Sequence, residues 1–472
     1  MSCRRIIDYT IVSMAGIGFE LQKIMGRRSL TGVTRAGLYA GLIAVGPWMV
    51  SVGSLIVLVL MLRPRIRAEA MDQFTSLITH CYALALLIIG PFSLLLTRYA
   101  ADRFYDGRRQ RILGSFLFAL AIIIPVAGGI GILLFTTGGS GLTSIQQSSA
   151  VALLLLACAI FTAGSYLTSV SCYRWVLMSF VIGFVASCGC VILAVRHHGE
   201  DAALAGFVVG HAILFLLLFW RLAREFGGDY DVTLDVLSYV RRYPGLVWAG
   251  MFYNCGLWVD KVLFWQFSAQ SFTVTGWIKA SPEYDLSIHI ALATMVPGMA
   301  AYVLALETSF GSSLQRYREA IAGSATLHRL EELRIDAVEG LKRSMWTLVK
   351  VQGVTTLLVF LNLEALCDLL GIGAIARGVF VMTLLGCFLL VIFLSLLTVL
   401  FYLDDRKGAL HATFAFFAVN ASMSALTLIG QESYYGIGFV AGAATGLVVA
   451  FLYVSSRLES LHRHLFVTNT VG

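Results

Sequence analysis

This sequence has little charge. Only 13% of its 472 residues are Asp, Glu, Lys or Arg, whereas 58% are hydrophobic, and the mean hydropathy is +0.83. So few charges cannot clothe a soluble domain, and the balance reads as an all-α polytopic membrane protein. Nor is a cleavable signal peptide expected. Residues 1–33 carry Arg4, Arg5, Lys23, Arg27 and Arg28 without an apolar core, so the first span must do the targeting. The nine cysteines lack metal-binding spacing. Cys81, Cys158, Cys172, Cys188, Cys190, Cys255 and Cys387 lie in or at apolar runs, where a reduced thiol is a small apolar group. Cys188-Gly189-Cys190 fits helix packing by small residues better than redox or metal chemistry. No metal or bound cofactor is expected. Nor is there an expected outside loop large enough for an enzyme site; the longest, about Ala269–Asp285, has 17 residues.

What the chain does have is apolar runs long enough to span, since a crossing needs about 20 residues. Twelve are expected, near 37–62, 74–97, 112–136, 150–172, 175–195, 203–220, 245–268, 286–310, 345–363, 378–402, 409–430 and 435–455. The formal charge of +7 follows the loops rather than forming a nucleic-acid surface. With the N-terminus inside, 26 of the 34 Lys and Arg fall in inner segments and 6 outside, which predicts N-in and C-in in a bacterial inner membrane. The loop "RPRIRAE", with Arg63, Arg65 and Arg67 outside, breaks that pattern. The expected organisation is a cytoplasmic segment 1–36, a six-helix bundle 37–220 and a cytoplasmic linker 221–244. A second six-helix bundle follows at 245–455 with a cytoplasmic helix at 313–344, then a tail 456–472. That helix is amphipathic, with Leu330, Leu333, Val338, Leu341 and Met345 on one side, and suits the membrane surface or a cytoplasmic partner.

The two halves open alike. Tyr39-Ala40-Gly41-Leu42 and Tyr243-Pro244-Gly245-Leu246 begin the first and seventh spans, each followed by a glycine at Gly46 and Gly250. With the six-plus-six layout this favours repeated halves around a path. Gly46-Pro47 and Pro297-Gly298 interrupt spans one and eight and are candidate bending points, or static kinks. The inner loop "LDDRKG" holds Asp404 and Asp405, expected as a solvated turn.

The seventh span carries "YNCGLWVDKVLFW", Tyr253–Trp265. A charge at the bilayer centre costs about 2.5–3.5 kcal/mol or more, so Asp260 and Lys261 need polar company or water. Neighbours on a helix point about 100° apart, so simple mutual neutralisation is not expected. Asp260 should lie about 22 Å from the inner end. Asn254, Trp258, Lys261 and Trp265 share one face, with Tyr253 and Asp260 beside it. Amide, ammonium, carboxylate and aromatic faces together suit a hydroxyl-rich ring such as a sugar. His289 in span eight is a candidate partner at similar depth; Glu307, near the inner end, is not. A pair that merely ties helices together is the competing reading, and Trp265 and Trp277 could be interface-belt aromatics.

These residues resemble the PelG family, the inner-membrane transporters of Pel exopolysaccharide systems. "MAGIGFEL" (Met14–Leu21), "YAGLIAVGPW" (Tyr39–Trp48), the seventh-span motif and "ETSF" (Glu307–Phe310) carry the likeness, and span count extends it over nearly the whole chain. The resemblance implies two six-helix bundles around a central cavity, in the superfamily of multidrug/cation antiporters and oligosaccharide-lipid flippases. It implies export of a growing, amino-sugar-rich polysaccharide for a biofilm matrix. The partners it implies are a cytoplasmic glycosyltransferase and accessory membrane proteins, including a cyclic-di-GMP receptor. In that family "MAGIGFEL" starts the protein, so Met14 is expected to be the initiator and Met1–Ser13 untranslated. The alternatives are a lipid-linked oligosaccharide flippase or a multidrug-type cation antiporter. Export could be driven by polymerisation or by an ion gradient, with Asp260 the candidate coupling carboxylate.

Overall fold

In lipid an apolar run can satisfy its backbone by closing into a helix, and helices account for most of the described chain. This computed structural model describes residues 30–138, 141–170, 172–228, 234–323, 325–370, 373–430 and 434–459. The Met14 start, the "MAGIGFEL" motif and the tail from 460 onward lie outside them. The chain divides into two units, one Gly46–Pro282 and the other reaching to Val45 and resuming at Glu283. The division thus falls inside the first helix, α1 (Leu30–Leu62), at Gly46-Pro47.

The unit Gly46–Pro282 continues with α2 (Ala68–Tyr105), α3 (Gln110–Ile132, extended by a π turn to Thr137), α4 (Ser144–Ser169), α5 (Tyr173–His198) and α6 (Ala203–Phe226). A short α7 (Asp235–Arg242) leads into α8 (Pro244–Phe267), and a hairpin of β1 (Phe272–Thr275) and β2 (Ile278–Ala280) follows. α2 is the spine, packed on α4 and on α8. The linker expected at 221–244 therefore falls within this unit, and the seventh span packs with the helices before it. α5 and α6 meet through small residues: a side chain on Gly210 would run into Ser187, and one on Gly206 into the backbone of Cys190 and Val191. Close backbone approach of this kind is what small residues permit in membrane helices. Two arginines of the loop expected outside have partners. Arg67 grips Glu200 through its backbone N–H (3.1 Å) and Nε (2.7 Å), and Arg65 donates to the carbonyl of Met61 at the end of α1.

The other unit contains α9 (Pro282–Ala293), α10 (Val296–Ala305, followed by a π turn Leu306–Gly311), α11 (Ser312–Ala322) and α12 (Leu327–Leu361). It ends with α13 (Leu363–Leu370), α14 (Ala374–Tyr402), α15 (Arg406–Ile429) and α16 (Ile437–Glu459). The cytoplasmic helix expected at 313–344 is split: its first part is α11, and the rest runs without a break into the ninth span as α12. Leu330, Leu333 and Leu341 of the expected stripe are buried, and the stripe runs on through Ser344, Leu348 and Gln352. α15 and α16 repeat the small-residue seam, with Gly438 against Ser424 and Gly442 against Asn420.

Ten stretches among the described residues are long and apolar enough to cross a membrane. Of the twelve expected spans, α1 contributes only the shorter apolar piece Met49–Leu62. α8 has the length, 24 residues, but its Asn, Asp, Lys and Gln keep it below the apolarity of the others.

Candidate functional site

α8 starts at Pro244, whose missing N–H is no loss at the first turn of a helix. Its buried stripe, Leu246, Gly250, Asn254, Lys261 and Trp265, has the spacing of one helical face. The Asn254 amide donates to the Gly250 carbonyl at 3.0 Å. Both residues press against Gly90 of α2, and a side chain on Gly250 would collide with the Gly90 carbonyl. Gly90-Pro91, a kink candidate the sequence reading passed over, thus sits at the α2–α8 crossing.

Asp260 is fully buried and Lys261 is 4% exposed. The expectation that these neighbours would not neutralise one another is corrected. Lys261 Nζ is 3.3 Å from both Asp260 oxygens and donates to the Leu257 carbonyl at 2.8 Å. The four-carbon stem lets the ammonium fold back along the helix, which a comparison of Cβ directions overlooks. Lys261 also lies over the Trp258 ring, 5.8 Å from its centre. In this conformation the pair is buried, while Tyr253 and Trp258 stay half-buried.

Trp258 begins a line of rings. Its centre is 6.1 Å from that of Trp265, which lies 4.4 Å from His80 of α2. Trp277, from the turn between the strands, meets His80 edge-on at 5.3 Å and Phe135 at 6.1 Å. The hairpin is tied down by three bonds. Trp277 Nε1 donates to Leu134 O at 2.9 Å, Lys279 Nζ to Gln266 O at 3.1 Å, and Gln266 Nε2 to Trp277 O at 3.2 Å. Trp265, only 2% exposed, is therefore a packed ring rather than a belt residue. His80 was missed by sequence reasoning, although an ionisable residue inside an apolar run is the available signal.

The remaining candidates are dispersed. His289 belongs to the other unit, with Nδ1 2.5 Å from the Asp285 carbonyl one turn back. Pro297-Gly298 does mark a break, because the eighth span stops at Ala293 and restarts at Val296. Gln352 of α12 donates to the Thr294 carbonyl freed there, at 3.1 Å. Gly46-Pro47 leaves α1 unbroken, with Ser51 Oγ donating to Pro47 O at 2.8 Å. Asp405 is not a solvated turn residue. It is 1% exposed, caps α15 at the Gly408 N–H, and accepts from Arg457 of α16 at 2.7 Å. Among the described residues, no three His, Cys, Asp or Glu side chains gather to hold a metal.

A family model described as PelG, "Putative exopolysaccharide Exporter (EPS-E)", matches residues 14–466. The chain belongs to the PelG family. Solved structures supply the fold of this PelG-family chain. MATE in the bent conformation aligns with TM-score 0.60 and 12% identity, over 96% of this chain and 98% of that one. An outward-facing multidrug resistance MATE family transporter of the MOP superfamily gives 0.57 and 12%, over 90% and 96%. Its inward-facing counterpart gives 0.57 and 11%, over 90% and 95%. No curated protein sequence matches. Family and fold are those of multi-pass membrane transporters rather than enzymes.

At the far end of α2, the PelG-family chain carries an arginine–tyrosine cluster. Arg103 sits between the rings of Tyr99 and Tyr239, 5.1 and 5.3 Å from their centres, and near Asp235 at 3.7 Å. Tyr239 donates to Asp102 at 3.2 Å. Burial, with the Asp102 carboxylate close by, pushes its phenol up to about 12, so it remains a donor at neutral pH. This cluster fastens α7 to α2.

Proposed function

We propose that this chain exports a growing, amino-sugar-rich polysaccharide of the Pel type across the bacterial inner membrane, from cytoplasm to periplasm, with both termini inside. The observation that carries the reading is the family match over residues 14–466. The chemistry of α8 supports it: a half-buried Tyr253 and Trp258 next to a buried ion pair and Asn254 offer ring faces and hydrogen-bonding groups along one helix. Because Asp260 and Lys261 are buried here, their exposure to a passing chain belongs to another conformation of the transport cycle. In this reading a cytoplasmic glycosyltransferase feeds the polymer, accessory membrane proteins including a cyclic-di-GMP receptor surround it, and the polymer joins a biofilm matrix.

A deletion strain complemented with wild type, Asp260→Ala or Lys261→Ala tests the reading. Wild type should restore secretion of amino-sugar-rich polysaccharide and both variants should lose most of it. Full secretion from both variants would remove α8 from the pathway, and no secretion defect in the deletion strain would reject the exporter. The MATE-like fold favours a second reading, an exporter of lipophilic cations. That reading requires the deletion strain to become sensitive to such cations while its polysaccharide output is unchanged.

A further inference from the structure

His80 is 3% exposed, and its two ring nitrogens are treated differently. Nδ1 lies 2.8 Å from the Ser76 carbonyl, and a carbonyl only accepts, so Nδ1 carries the hydrogen. Nε2 of the neutral ring is then a bare acceptor. It is buried, and among the described residues it has no hydrogen-bond partner. The contrast with His211 is direct. There Nδ1 is bonded to the Phe207 carbonyl at 2.9 Å and Nε2 meets the Tyr82 hydroxyl at 2.5 Å, so both nitrogens are used. A buried acceptor without a donor is unfavourable and calls for a role.

We propose that Nε2 of His80 is a proton-binding site that controls the seating of the hairpin Phe272–Ala280. A hydronium ion gives its proton to the lone pair, one of its O–H bonds breaking as the N–H bond forms and water being released, and the reverse step returns the proton to water. The imidazolium so formed lies against the indole of Trp265, its ring tilted by 30° at 4.4 Å, an aromatic face that favours a cation, with Trp277 nearly perpendicular to it at 5.3 Å. Its new Nε2–H has no acceptor in the present packing. Trp277 is the wall that yields, since it is half-buried on a two-stranded hairpin held by three side-chain hydrogen bonds, whereas Trp265 is 2% exposed within α8. Protonation therefore shifts Trp277 and loosens the hairpin from the end of α8.

The charged groups around His80 leave it the opening. On α8, Asp260 and Lys261 are bound to each other. On β2, Lys279 is bonded to the Gln266 carbonyl. α4 has no charged residue, and α3 has only Arg111 near its opposite end. On α6, His211 is held by Tyr82, and on α2 itself Glu69 and Asp72 lie more than one turn towards the helix start. Asp260, expected from sequence as the coupling carboxylate, already holds an ammonium; His80 is the group with an unused lone pair.

The inference deepens the exporter reading, and rests on it only for the direction in which protons and polymer move. It is tested on the full chain in phosphatidylethanolamine–phosphatidylglycerol vesicles by tryptophan fluorescence between about pH 3 and 8, a window that extends below the ordinary histidine range because a buried ring resists charging. An imidazolium against indole quenches it, so wild type should show a reversible acid quench. His80→Gln should lose that step, and Trp277→Phe, which keeps His80, should show a smaller one. A flat wild-type titration, or an unaltered step in both variants, would overturn the proposal. No polysaccharide enters the titration. Failure of the deletion phenotype would therefore sink the exporter reading alone, and failure of the quench the proton site alone.

Discussion

Asp260 and Lys261 occupy consecutive positions on α8, yet the ammonium reaches both carboxylate oxygens at 3.3 Å. A buried pair gains little over an apolar substitute, but removing one member strands the other charge, at about 3–5 kcal/mol. Lys261→Met should therefore lower the thermal stability of the detergent-solubilised protein strongly, and Asp260→Asn with Lys261→Met should recover most of the loss. Additive effects would contradict a direct pair. At the other buried carboxylate, Asp405→Ala removes a helix cap and leaves Arg457 without its acceptor. Thermal unfolding should register a loss of about 1–3 kcal/mol. A turn open to water would leave stability unchanged. Sequence reading singled out the first pair because charge in an apolar run is conspicuous. It misjudged Asp405 because burial there comes from α16, some fifty residues further along.

Helix pairs in this molecule depend on where side chains are missing. Gly442 of α16 sits against Asn420 and Phe416 of α15, whereas Gly189 of α5 has open space where a side chain would go. Gly442→Leu should force α15 and α16 apart, with an overpacking loss of about 1–3 kcal/mol. Gly189→Leu should be neutral or slightly stabilising, since leucine favours helix over glycine by up to about 1 kcal/mol. Equal losses in thermal unfolding at both positions would reject the seam. The helices themselves were legible from hydropathy, and so was the Pro297 interruption. The hairpin Phe272–Ala280 was not, because seven strand residues in a short loop carry no periodic signal. Its place is set by Trp277, Lys279 and Gln266 bonding to one another and to α3.

For the molecule as a whole, the decisive untested quantity is orientation. If Lys and Arg mark the cytoplasmic side, as we propose, the hairpin should lie outside and the α11–α12 turn inside. In a background freed of the nine native cysteines, Phe272→Cys and Leu327→Cys occupy exposed positions in these two places. A membrane-impermeant maleimide should label the first in intact spheroplasts and the second only after permeabilisation. The reverse pattern would invert the topology and the direction of transport. The Arg63–Arg67 loop runs against that bias; in the structure Arg67 is engaged with Glu200, and Arg65 with the end of α1.

The sequence by itself determined that this is a multi-pass helical membrane protein of the PelG family, because apolar length and local motifs survive without knowledge of neighbours. Which helix lies against which was decided only by tertiary structure. α8 packs on α2, and Trp265 closes over His80, a residue nearly two hundred positions away. Hydropathy registers how much a helix avoids water. It does not register which partner fills each groove, and the unused nitrogen of His80 exists only once those partners are in place.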